Sequence, residues 1–374
     1  MNGLTEELAQ LQERSLRREL RVVTESQGAR LTISGRSLLN FSSNNYLGLA
    51  RHPQVTEAVK QVLDHWGAGA TSSRLISGSS IIHEDLERAL AAFTRREAAL
   101  LFPAGYMANL GVVTSLAGRE DAVIMDRLCH ASLVDAARLS GARLFIFDHA
   151  QAASAERALK RASRYRRKLL VTESLFSMDG DFAPLEALAQ IAKRHEAVSI
   201  VDDAHAFGVW ETRTEDWDVV IGTFSKSLGS QGGFAAGSRE LIETLINKAR
   251  PFIFTTGLSP ACVAAAQAAL SLVQEDPRPR ECLKKLSARL REGLRAQGYN
   301  TLGSESQIVP ILLGEADRAL ACAEHLRQAG IFAPAIRPPT VHAGQCRLRF
   351  SVTADHQPAD IDLVLNAMKE WKNE

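Results

Sequence analysis

One lysine stands in a run of small hydroxyl residues and glycines that follows a short apolar segment. Lys226 lies within residues 223–233 (TFSKSLGSQGG), directly after DVVIG. A lysine without bulky neighbours at a strand-to-loop transition can condense with an aldehyde, because its amine becomes nucleophilic when water is removed from it. This is the anchoring chemistry of pyridoxal phosphate enzymes, although a solvated loop lysine also fits such a segment.

A segment that ends in two acids and a histidine lies upstream of this lysine. Residues 198–208 (VSIVDDAHAFG) begin with a β-branched apolar run that predicts a buried strand. An acid at the carboxyl end of a parallel strand points into the ligand crevice of a doubly wound sheet. Asp202 is therefore placed to keep the pyridine nitrogen of the cofactor protonated, and His205 could reach its phenolic oxygen. The alternatives are a polar turn and a metal site formed with Asp203. No metal is predicted, since the chain has no matching HExxH helix.

A strand, a Pro/Gly turn and a helix start are predicted for residues 100–113 (LLFPAGYMANLGVV). Backbone N–H groups at such a helix start bind an anion without a basic side chain. We expect Gly105 and Tyr106 to donate theirs to a phosphate, with Asn109 close by and Thr223 adding a hydroxyl.

His130 follows a second predicted strand, AVIMD, in residues 126–133 (DRLCHASL). Its flat ring could stack on a flat cofactor. The alternative is a histidine that begins a helix or fills the core.

Seven predicted strands alternate with helices between about residues 53 and 240, for example the helix PLEALAQIAKRHE. This alternation predicts an α/β domain with a mainly parallel sheet between helices. The proline-rich, charged segment EDPRPREC then precedes an α+β pattern, with strands near 331–336 and 346–352 and helices over 281–297, 316–329 and 358–371. We predict an amino-terminal part (1–50), a large domain (51–275) and a small carboxyl-terminal domain (276–374).

Nine segments, in the same order along nearly the whole chain, resemble the α-oxoamine synthases. These are fold-type I, aminotransferase-like pyridoxal phosphate enzymes that condense an amino acid with an acyl thioester and release carbon dioxide. Only the first 20 or so residues show no clear resemblance. The segments are SSNNYLGL (42–49), TSSRLISG (71–78), HEDLE (83–87), DRLCHASL (126–133), TESLFSMDGD (172–181), VDDAHAFGV (201–209), TFSKSLGSQGG (223–233), FTTGLSP (254–260) and IRPPTVHAGQCRLR (336–349).

The resemblance assigns the substrate-binding roles to arginines and one threonine. An amino acid carboxylate calls for planar bidentate capture by arginine, and the family pattern points to Arg349 rather than to Arg347 on the same strand face. Arg337 and Thr340, in the IRPPTV segment, are expected to shape the acyl site. Arg17 is expected to bind the far carboxylate of a pimeloyl chain, with Arg18 and Arg21 as alternatives.

The resemblance also implies two further cofactor contacts. Ser177 is similar to a serine that hydrogen-bonds the cofactor oxygen, and Glu173 could orient that loop. Family members work as homodimers, and the FTTG segment resembles the part that reaches the neighbouring subunit's phosphate. Thr255 is preferred over Thr256 for this contact.

The implied reaction uses Lys226 to hold pyridoxal phosphate and to remove the α-proton of the amino acid. The IRPPTV segment favours L-alanine and a pimeloyl thioester, carried by coenzyme A or acyl carrier protein. Two alternatives remain: a sister synthase with another amino acid and acyl chain, and a non-catalytic binding protein on the same fold.

Composition agrees with this class. Lys+Arg 44 against Asp+Glu 43 in 374 residues gives a net charge of +1, so no nucleic acid partner is implied. The charged first 30 residues do not resemble a secretory signal, and no apolar run is long enough to cross a membrane. Five scattered cysteines without CxxC spacing suggest reduced thiols and a cytoplasmic protein; they are Cys129, Cys262, Cys282, Cys322 and Cys346.

Overall fold

The structure is a computed structural model and describes residues 3–373. Its chain forms two compact units. Unit 1 comprises the residues up to Gly48, the short segment Ser177–Asp181 and the residues from Arg278 onward. Unit 2 comprises Leu49–Phe176 and Phe182–Pro277. The three-part division of the sequence stays a prediction, and the sequence pattern did not indicate that Ser177–Asp181 belongs with the terminal parts of the chain.

The secondary structure elements are numbered in chain order. The strands are β1 (Val23–Gln27), β2 (Arg30–Ile33), β3 (Arg36–Asn40), β4 (Ala98–Phe102), β5 (Ala122–Asp126), β6 (Arg143–Phe147), β7 (Lys168–Glu173), β8 (Val198–Asp202), β9 (Val219–Thr223), β10 (Gly233–Gly237), β11 (Ile308–Gly314), β12 (Ile331–Phe332), β13 (Ala335–Ile336) and β14 (Cys346–Ser351). The α-helices are α1 (Leu4–Glu13), α2 (Pro53–Trp66), α3 (Ile81–Thr94), α4 (Gly105–Leu116), α5 (Ala131–Ser140), α6 (Ala152–Arg161), α7 (Leu185–Arg194), α8 (Arg239–Lys248), α9 (Arg250–Ile253), α10 (Pro260–Glu275), α11 (Arg278–Ala296), α12 (Ala316–Gln328) and α13 (Pro358–Asn373); Leu49–Arg51 forms a 3-10 turn.

Unit 2 is built on a seven-stranded sheet with the order β4-β10-β9-β8-β7-β5-β6. The pairs from β9 to β6 are parallel, whereas β10 runs antiparallel to both of its neighbours. The predicted mainly parallel sheet of seven strands is therefore confirmed. Four neighbouring parallel strands end at one edge in a buried polar residue; these residues are Asp126, Glu173, Asp202 and Thr223.

Helices cover both faces of this sheet, because successive side chains of each buried strand point to opposite faces. On β5, Val123 and Met125 join a core cluster with α4, α5, α8 and α9, whereas Ala122 and Ile124 join a second cluster with α6 and α7. The predicted arrangement of a sheet between helices is thus also confirmed.

Unit 1 contains two smaller sheets, with the orders β1-β2-β3-β12 and β11-β14-β13. The strand pattern near 331–336 therefore corresponds to two short strands in different sheets. Helix α13 packs on α11 and α12. Helix α11 begins at Arg278, earlier than the predicted start at 281, because a proline in the first turn of a helix, here Pro279, costs no hydrogen bond. No helix within residues 3–373 is both long and apolar enough to cross a membrane.

A buried histidine in unit 1 links stability to pH. His356 is fully buried and stacks on Phe41 with ring centroids 4.1 Å apart, and its Nδ1 accepts the Thr353 backbone N–H at 2.9 Å. Burial lowers the pKa of His356 to about 4. The unfolded chain therefore binds this proton more tightly than the native protein does.

We expect the unfolding free energy to fall as the pH is lowered from about 6.5 towards 4, with His356 contributing up to about 3 kcal/mol of the loss. Chemical denaturation across this pH range measures the slope. His356→Gln should flatten the slope, whereas replacement of the exposed His65 by glutamine should not. Equal slopes for His356→Gln and the wild type would contradict the assignment.

Candidate functional site

The start of helix α4 forms an open cradle for an anion. Ala104 precedes the helix and, in the part of the chain that the structure describes, no side chain caps the first turn, so its N–H groups remain available. A Cβ added to Gly105 would lie 3.1 Å from the Thr223 Cβ, and one added to Gly233 would lie 2.6 Å from the Gly105 Cα and N. Glycine at both positions therefore lets the start of α4, the end of β9 and the start of β10 approach closely. Gly105 and Tyr106 begin α4, as the sequence predicted, and their contacts with a phosphate stay a prediction.

The Thr223 hydroxyl already has protein partners. This buried side chain donates its hydrogen to the Gly232 carbonyl at 2.8 Å, and its Oγ1 lies 2.9 Å from the Ser225 Oγ. Its role as a phosphate donor stays a prediction, and the Ser225 hydroxyl at the same turn is a candidate that the sequence reasoning missed.

Asp202 ends β8 and is buried at the carboxyl edge of the sheet. Its Oδ2 accepts an N–H from Asn109 Nδ2 at 2.7 Å, and its Oδ1 accepts the Ala204 backbone N–H at 2.9 Å. Asn109 was expected near the phosphate, but its side chain instead contacts Asp202 and, at 2.8 Å, the Ser132 Oγ. The reason is that Asn109 lies one turn into α4, beyond the first-turn N–H groups, where its side chain reaches Asp202 and Ser132.

His130 caps the amino terminus of α5, which is the helix-start alternative of the sequence analysis. Its Nδ1 lies 2.7 Å from the Ser132 Oγ, and its backbone N–H donates to Glu173 Oε1 at 2.5 Å. The residue itself is exposed. Protein atoms beside the ring nevertheless desolvate it and lower the pKa of His130; the Asp202 charge raises this pKa and the Lys226 charge lowers it. Capping leaves the predicted stacking role open as a prediction.

Tyr106 lies beside this histidine, with ring centroids 6.4 Å apart and planes at 81°. Its hydroxyl donates a short hydrogen bond to Asp135, and this bond raises the pKa of Tyr106. The ring of Tyr106 is thereby oriented at the start of α4.

Glu173 is a buried acid whose position the sequence reasoning undervalued. It ends β7, next to β8, and burial together with the neighbouring Asp202 charge raises its pKa well above the usual range. The Lys226 charge acts in the opposite direction. A buried acid directly after an apolar strand was the available signal, and it pointed to Asp202 and Glu173 equally.

Asp203 faces a different set of groups from Asp202. Its Oδ1 accepts hydrogen bonds from Ser174 Oγ at 2.5 Å and from Thr212 Oγ1 at 3.0 Å, and burial raises its pKa to about 7. Within residues 3–373, no cluster of three or more His, Cys, Asp or Glu residues could hold a metal ion. The metal-site alternative therefore has no ligand set in the described part of the chain.

Lys226 lies in the loop between β9 and β10 and is partly buried. Its charge influences both His130 and Glu173, which places its amine in the same electrostatic environment as Asp202. His205 is buried three residues after Asp202. Within unit 2 the structure thus places Asp202, His130, Glu173 and Lys226 close enough to influence one another, and their roles towards a cofactor stay a prediction.

The FTTG segment pairs with the TSSRLISG segment in unit 2. Thr256 forms an antiparallel bridge with Ser73, and the Gly257 N–H donates to the Ser72 carbonyl at 2.9 Å. Thr255 is partly buried and Thr256 is exposed.

Arg74 of the TSSRLISG segment contacts Glu87 of the HEDLE segment. Its guanidinium forms a bidentate ion pair with Glu87, at 3.0 and 3.1 Å. Arg74 is therefore a structural residue.

Unit 1 carries the predicted carboxylate-binding arginine on β14. Arg349 is buried, and its partners are all neutral: the Ser177 carbonyl at 2.5 Å, Ser351 Oγ at 2.6 Å, Tyr46 Oη at 3.2 Å and Asn44 Oδ1 at 3.3 Å. No carboxylate of residues 3–373 forms an ion pair with it. Arg349 is thus a buried arginine whose partners among the described residues are neutral polar groups, and this arrangement suits an anionic ligand.

Arg347 differs from its neighbour on the same strand. It forms a short ion pair with Asp179 and also donates to the Gln345 carbonyl at 3.1 Å. A structural role is sufficient to explain the burial of Arg347.

Ser177 contributes its backbone carbonyl to Arg349, and no hydrogen bond of its hydroxyl to the described residues is observed.

Arg337 and the amino-terminal arginines meet in unit 1. Arg337 donates to the carbonyls of Ser15 and Arg17, while Arg18 donates to the Pro338 carbonyl at 2.7 Å. Desolvation, followed by the nearby charge of Arg18, lowers the pKa of Arg337. Arg17 and Thr340 are both exposed. The structure therefore places the side chain of Arg18, rather than that of Arg17, against the IRPPTV segment.

Two cavities in unit 2 lie away from the predicted site residues. One has a volume of about 670 Å³ and borders Trp210, Thr212 and the start of α7; the other, of about 400 Å³, borders α2, α3 and α10. We identify the candidate site from its polar side chains and open helix terminus, because these features carry chemistry and cavity volume alone does not.

Comparison with known proteins shows similarity over nearly the whole chain. The model of the family "Aminotransferase class I and II" matches residues 36–368. The putative 8-amino-7-oxononanoate synthase of Geobacillus kaustophilus is 45% identical, over 98% of this chain and 96% of that protein. The 8-amino-7-oxononanoate synthase of Geobacter sulfurreducens is 44% identical, over 97% of this chain and 96% of that protein.

Solved structures with the same fold include a lysine-to-alanine variant of a serine palmitoyltransferase from S. paucimobilis with a bound PLP-myriocin aldimine. It superimposes with a TM-score of 0.93 at 32% identity and covers 99% of this chain and 96% of its own. The 8-amino-7-oxononanoate synthase of Francisella tularensis superimposes with a TM-score of 0.77 at 25% identity, over 90% of this chain and 98% of its own.

Proposed function

The chain belongs to the aminotransferase class I and II family, and from this premise we propose that it condenses L-alanine with a pimeloyl thioester to form 8-amino-7-oxononanoate in biotin biosynthesis. The α-C–H bond of alanine breaks, and a C–C bond forms between the α-carbon and the thioester carbonyl as the C–S bond breaks. The released thiolate takes up a proton to give the thiol. The alanine carboxylate then leaves as carbon dioxide, and a proton takes its place on the α-carbon. One observation carries the proposal. Relatives with this name are 44–45% identical over 96% of their own length, and within unit 2 the charges of Lys226 and Asp202 both act on His130.

Pyridoxal phosphate fits the residues present. The uncapped start of α4, with glycines whose Cβ atoms would fill the space beside it, suits the phosphate. The Asp202 carboxylate suits a protonated pyridine nitrogen, and Lys226 suits the aldehyde. When bound, the cofactor supplies an electron-withdrawing ring that stabilises negative charge on the amino acid's α-carbon.

The residues of unit 2 would act around this cofactor. Lys226 would bind its aldehyde and take the α-proton of alanine on Nζ, and Asp202 would hold the ring proton. Gly105, Tyr106 and Thr223 would contact the phosphate. His130 would lie on the ring, and His205 would reach the phenolic oxygen.

The residues of unit 1 would bind the substrates. Arg349 would hold the alanine carboxylate with its two terminal nitrogens, whose partners among the described residues are neutral groups. Arg337 and Thr340 would border the acyl chain. Ser177 would offer its hydroxyl to the cofactor oxygen. Arg17, or Arg18 beside it, would bind the distal carboxylate of the pimeloyl group.

A homodimer is part of the proposal. The paired 72–78 and 254–257 segments expose Ile76 and Phe254, at 80% and 69%, and a second subunit would cover this apolar surface. Thr255 would then contact the phosphate of the neighbouring subunit. We also propose a cytoplasmic location, since all five cysteines are free thiols.

A sister activity is the second candidate. The serine palmitoyltransferase structure superimposes well, at a TM-score of 0.93, but at 32% identity against 45% for the relative from Geobacillus. The difference in identity favours alanine and pimeloyl substrates.

The test offers L-alanine, glycine and L-serine in turn with pimeloyl, acetyl, succinyl and palmitoyl thioesters, and identifies products by mass. We expect a keto-amine from alanine and the pimeloyl thioester. A product only from serine and palmitoyl thioester would establish the sister activity, and no product from any pair would refute the enzyme proposal. Pimeloyl-CoA and pimeloyl-acyl carrier protein, compared at equal concentration, identify the acyl donor.

A further inference from the structure

A hydrogen-bonded chain runs from Asp202 to the ring of His130. Asn109 Nδ2 lies 2.7 Å from Asp202 Oδ2 and 2.8 Å from Ser132 Oγ, and Ser132 Oγ lies 2.7 Å from His130 Nδ1. Asp202, Asn109 and Ser132 are 6%, 2% and 0% exposed. Since water hardly reaches these groups, their donors and acceptors must be satisfied within the chain.

The Asp202 carboxylate determines the orientation of the Asn109 amide. A carboxylate only accepts hydrogen bonds, so Asn109 must turn its NH₂ group towards it. The two N–H bonds of that group then point to Asp202 and Ser132. This orientation leaves the Asn109 Oδ1 buried and without a hydrogen-bond partner among the described residues. A flipped amide would place this oxygen against the carboxylate, and the repulsion would cost more.

The orientation of the Asn109 amide also determines which group donates the hydrogen bond between Ser132 and the His130 imidazole. Because Ser132 Oγ accepts from Asn109, its one hydrogen is directed to His130 Nδ1. The Ser132 backbone N–H also points at Nδ1, at 3.3 Å. Nδ1 therefore accepts two hydrogen bonds, and the proton of the neutral ring must be on Nε2.

We propose that Asn109 and Ser132 are positioning residues that hold His130 as the Nε2–H tautomer, so that the exposed side of the ring presents a hydrogen-bond donor. The charged groups that act on this ring are Asp202, Lys226 and Asp135, and Glu173 holds its backbone N–H. The tautomer itself follows from the hydrogen bonds alone. Its consequence for catalysis rests on the proposed function, in which a fixed N–H donor would hold an acceptor oxygen of the substrate.

Nitrogen NMR of the ¹⁵N-histidine-labelled protein without cofactor tests the tautomer directly. His130→Gln identifies the His130 signals among those of the ten histidines. At neutral pH we expect a bare Nδ1 and a protonated Nε2. In Ser132→Ala and in Asn109→Leu, part of the population should move to the Nδ1–H form.

Ser115→Ala is the matched control, because Ser115 lies on the same helix α4 and its buried Oγ has no hydrogen-bond partner within residues 3–373. This variant should leave the His130 signals unchanged. Thermal unfolding checks that each variant is folded; if Asn109→Leu does not fold, Ser132→Ala decides. A protonated Nδ1 in the wild type would overturn the proposal. So would unchanged His130 signals in those of Ser132→Ala and Asn109→Leu that fold.

Kinetics separate this inference from the proposed function. With the substrates that the wild type accepts, Ser132→Ala should lower kcat at least about tenfold, as expected for loss of a hydrogen bond that orients a catalytic group, while Ser115→Ala should not. If the wild type forms no product, the proposed function fails, but the NMR result still decides the tautomer. An Nε2–H tautomer with unchanged kcat in Ser132→Ala would refute the positioning role.

Discussion

Replacement of Lys226 by alanine is expected to lower kcat at least about a thousandfold, because it removes both the proposed anchoring amine and the proposed general base. Lys226 lies in the loop after β9, and its charge acts on His130 and Glu173. Turnover with L-alanine and pimeloyl thioester measures the loss. The visible absorbance band of the cofactor bound to the lysine should disappear from the purified variant.

Lys248→Ala is the matched control, since Lys248 is exposed at the end of α8. It should retain both the activity and the absorbance band. Added methylamine should restore part of the activity of Lys226→Ala, because a small amine can replace the missing base. Activity within tenfold of the wild type in Lys226→Ala would show that another residue removes the proton.

Replacement of Arg349 by lysine is expected to raise the KM for L-alanine about 10- to 100-fold, the range for loss of a charge-assisted bidentate contact. Arg349 is buried, and its partners among the described residues are neutral. Burial raises the pKa of the adjoining Tyr46, and the Arg349 charge lowers it. Lysine keeps the charge but cannot form the two parallel N–H bonds. Initial-rate kinetics with varied alanine at a saturating pimeloyl thioester concentration measure the change.

Arg347→Lys provides the comparison on the same strand. Because Arg347 is paired with Asp179, we expect this change to lower thermal stability and to leave the KM for alanine within about threefold of the wild-type value. If Arg347→Lys raised the KM for alanine and Arg349→Lys did not, the assignment of the two arginines would be reversed.

The seven strands of the large sheet were predictable because strands buried on both faces appear as short, continuous apolar runs, such as AVIMD in β5. The two short strands near residue 331 were not separable by this signal. Each contains only two residues, and their pairing with β3 or with β14 depends on partners far away in the chain.

The candidate site was predictable in part. The positions of Gly105, Asp202 and Lys226 follow from where strands end and helices begin, and these boundaries leave a local mark in the sequence. The hydrogen-bond partner of Asn109 was not predictable, because its contact with Asp202 joins residues 93 positions apart. The same is true of the Ser177–Asp181 segment, which contacts Arg347 and Arg349 from more than 160 positions away.

By itself, the sequence determined the alternation of elements, the class of chemistry and the residues able to perform it, because these depend on residue type and local spacing. Only the tertiary structure decided that Arg347 is neutralised while Arg349 is not, that Glu173 and Asp203 are acids with raised pKa values, and that the His130 ring is joined to Asp202 through Asn109 and Ser132. The physical reason is that ionisation and hydrogen-bond direction depend on burial and on the nearest partner in space, and both are set by long-range packing.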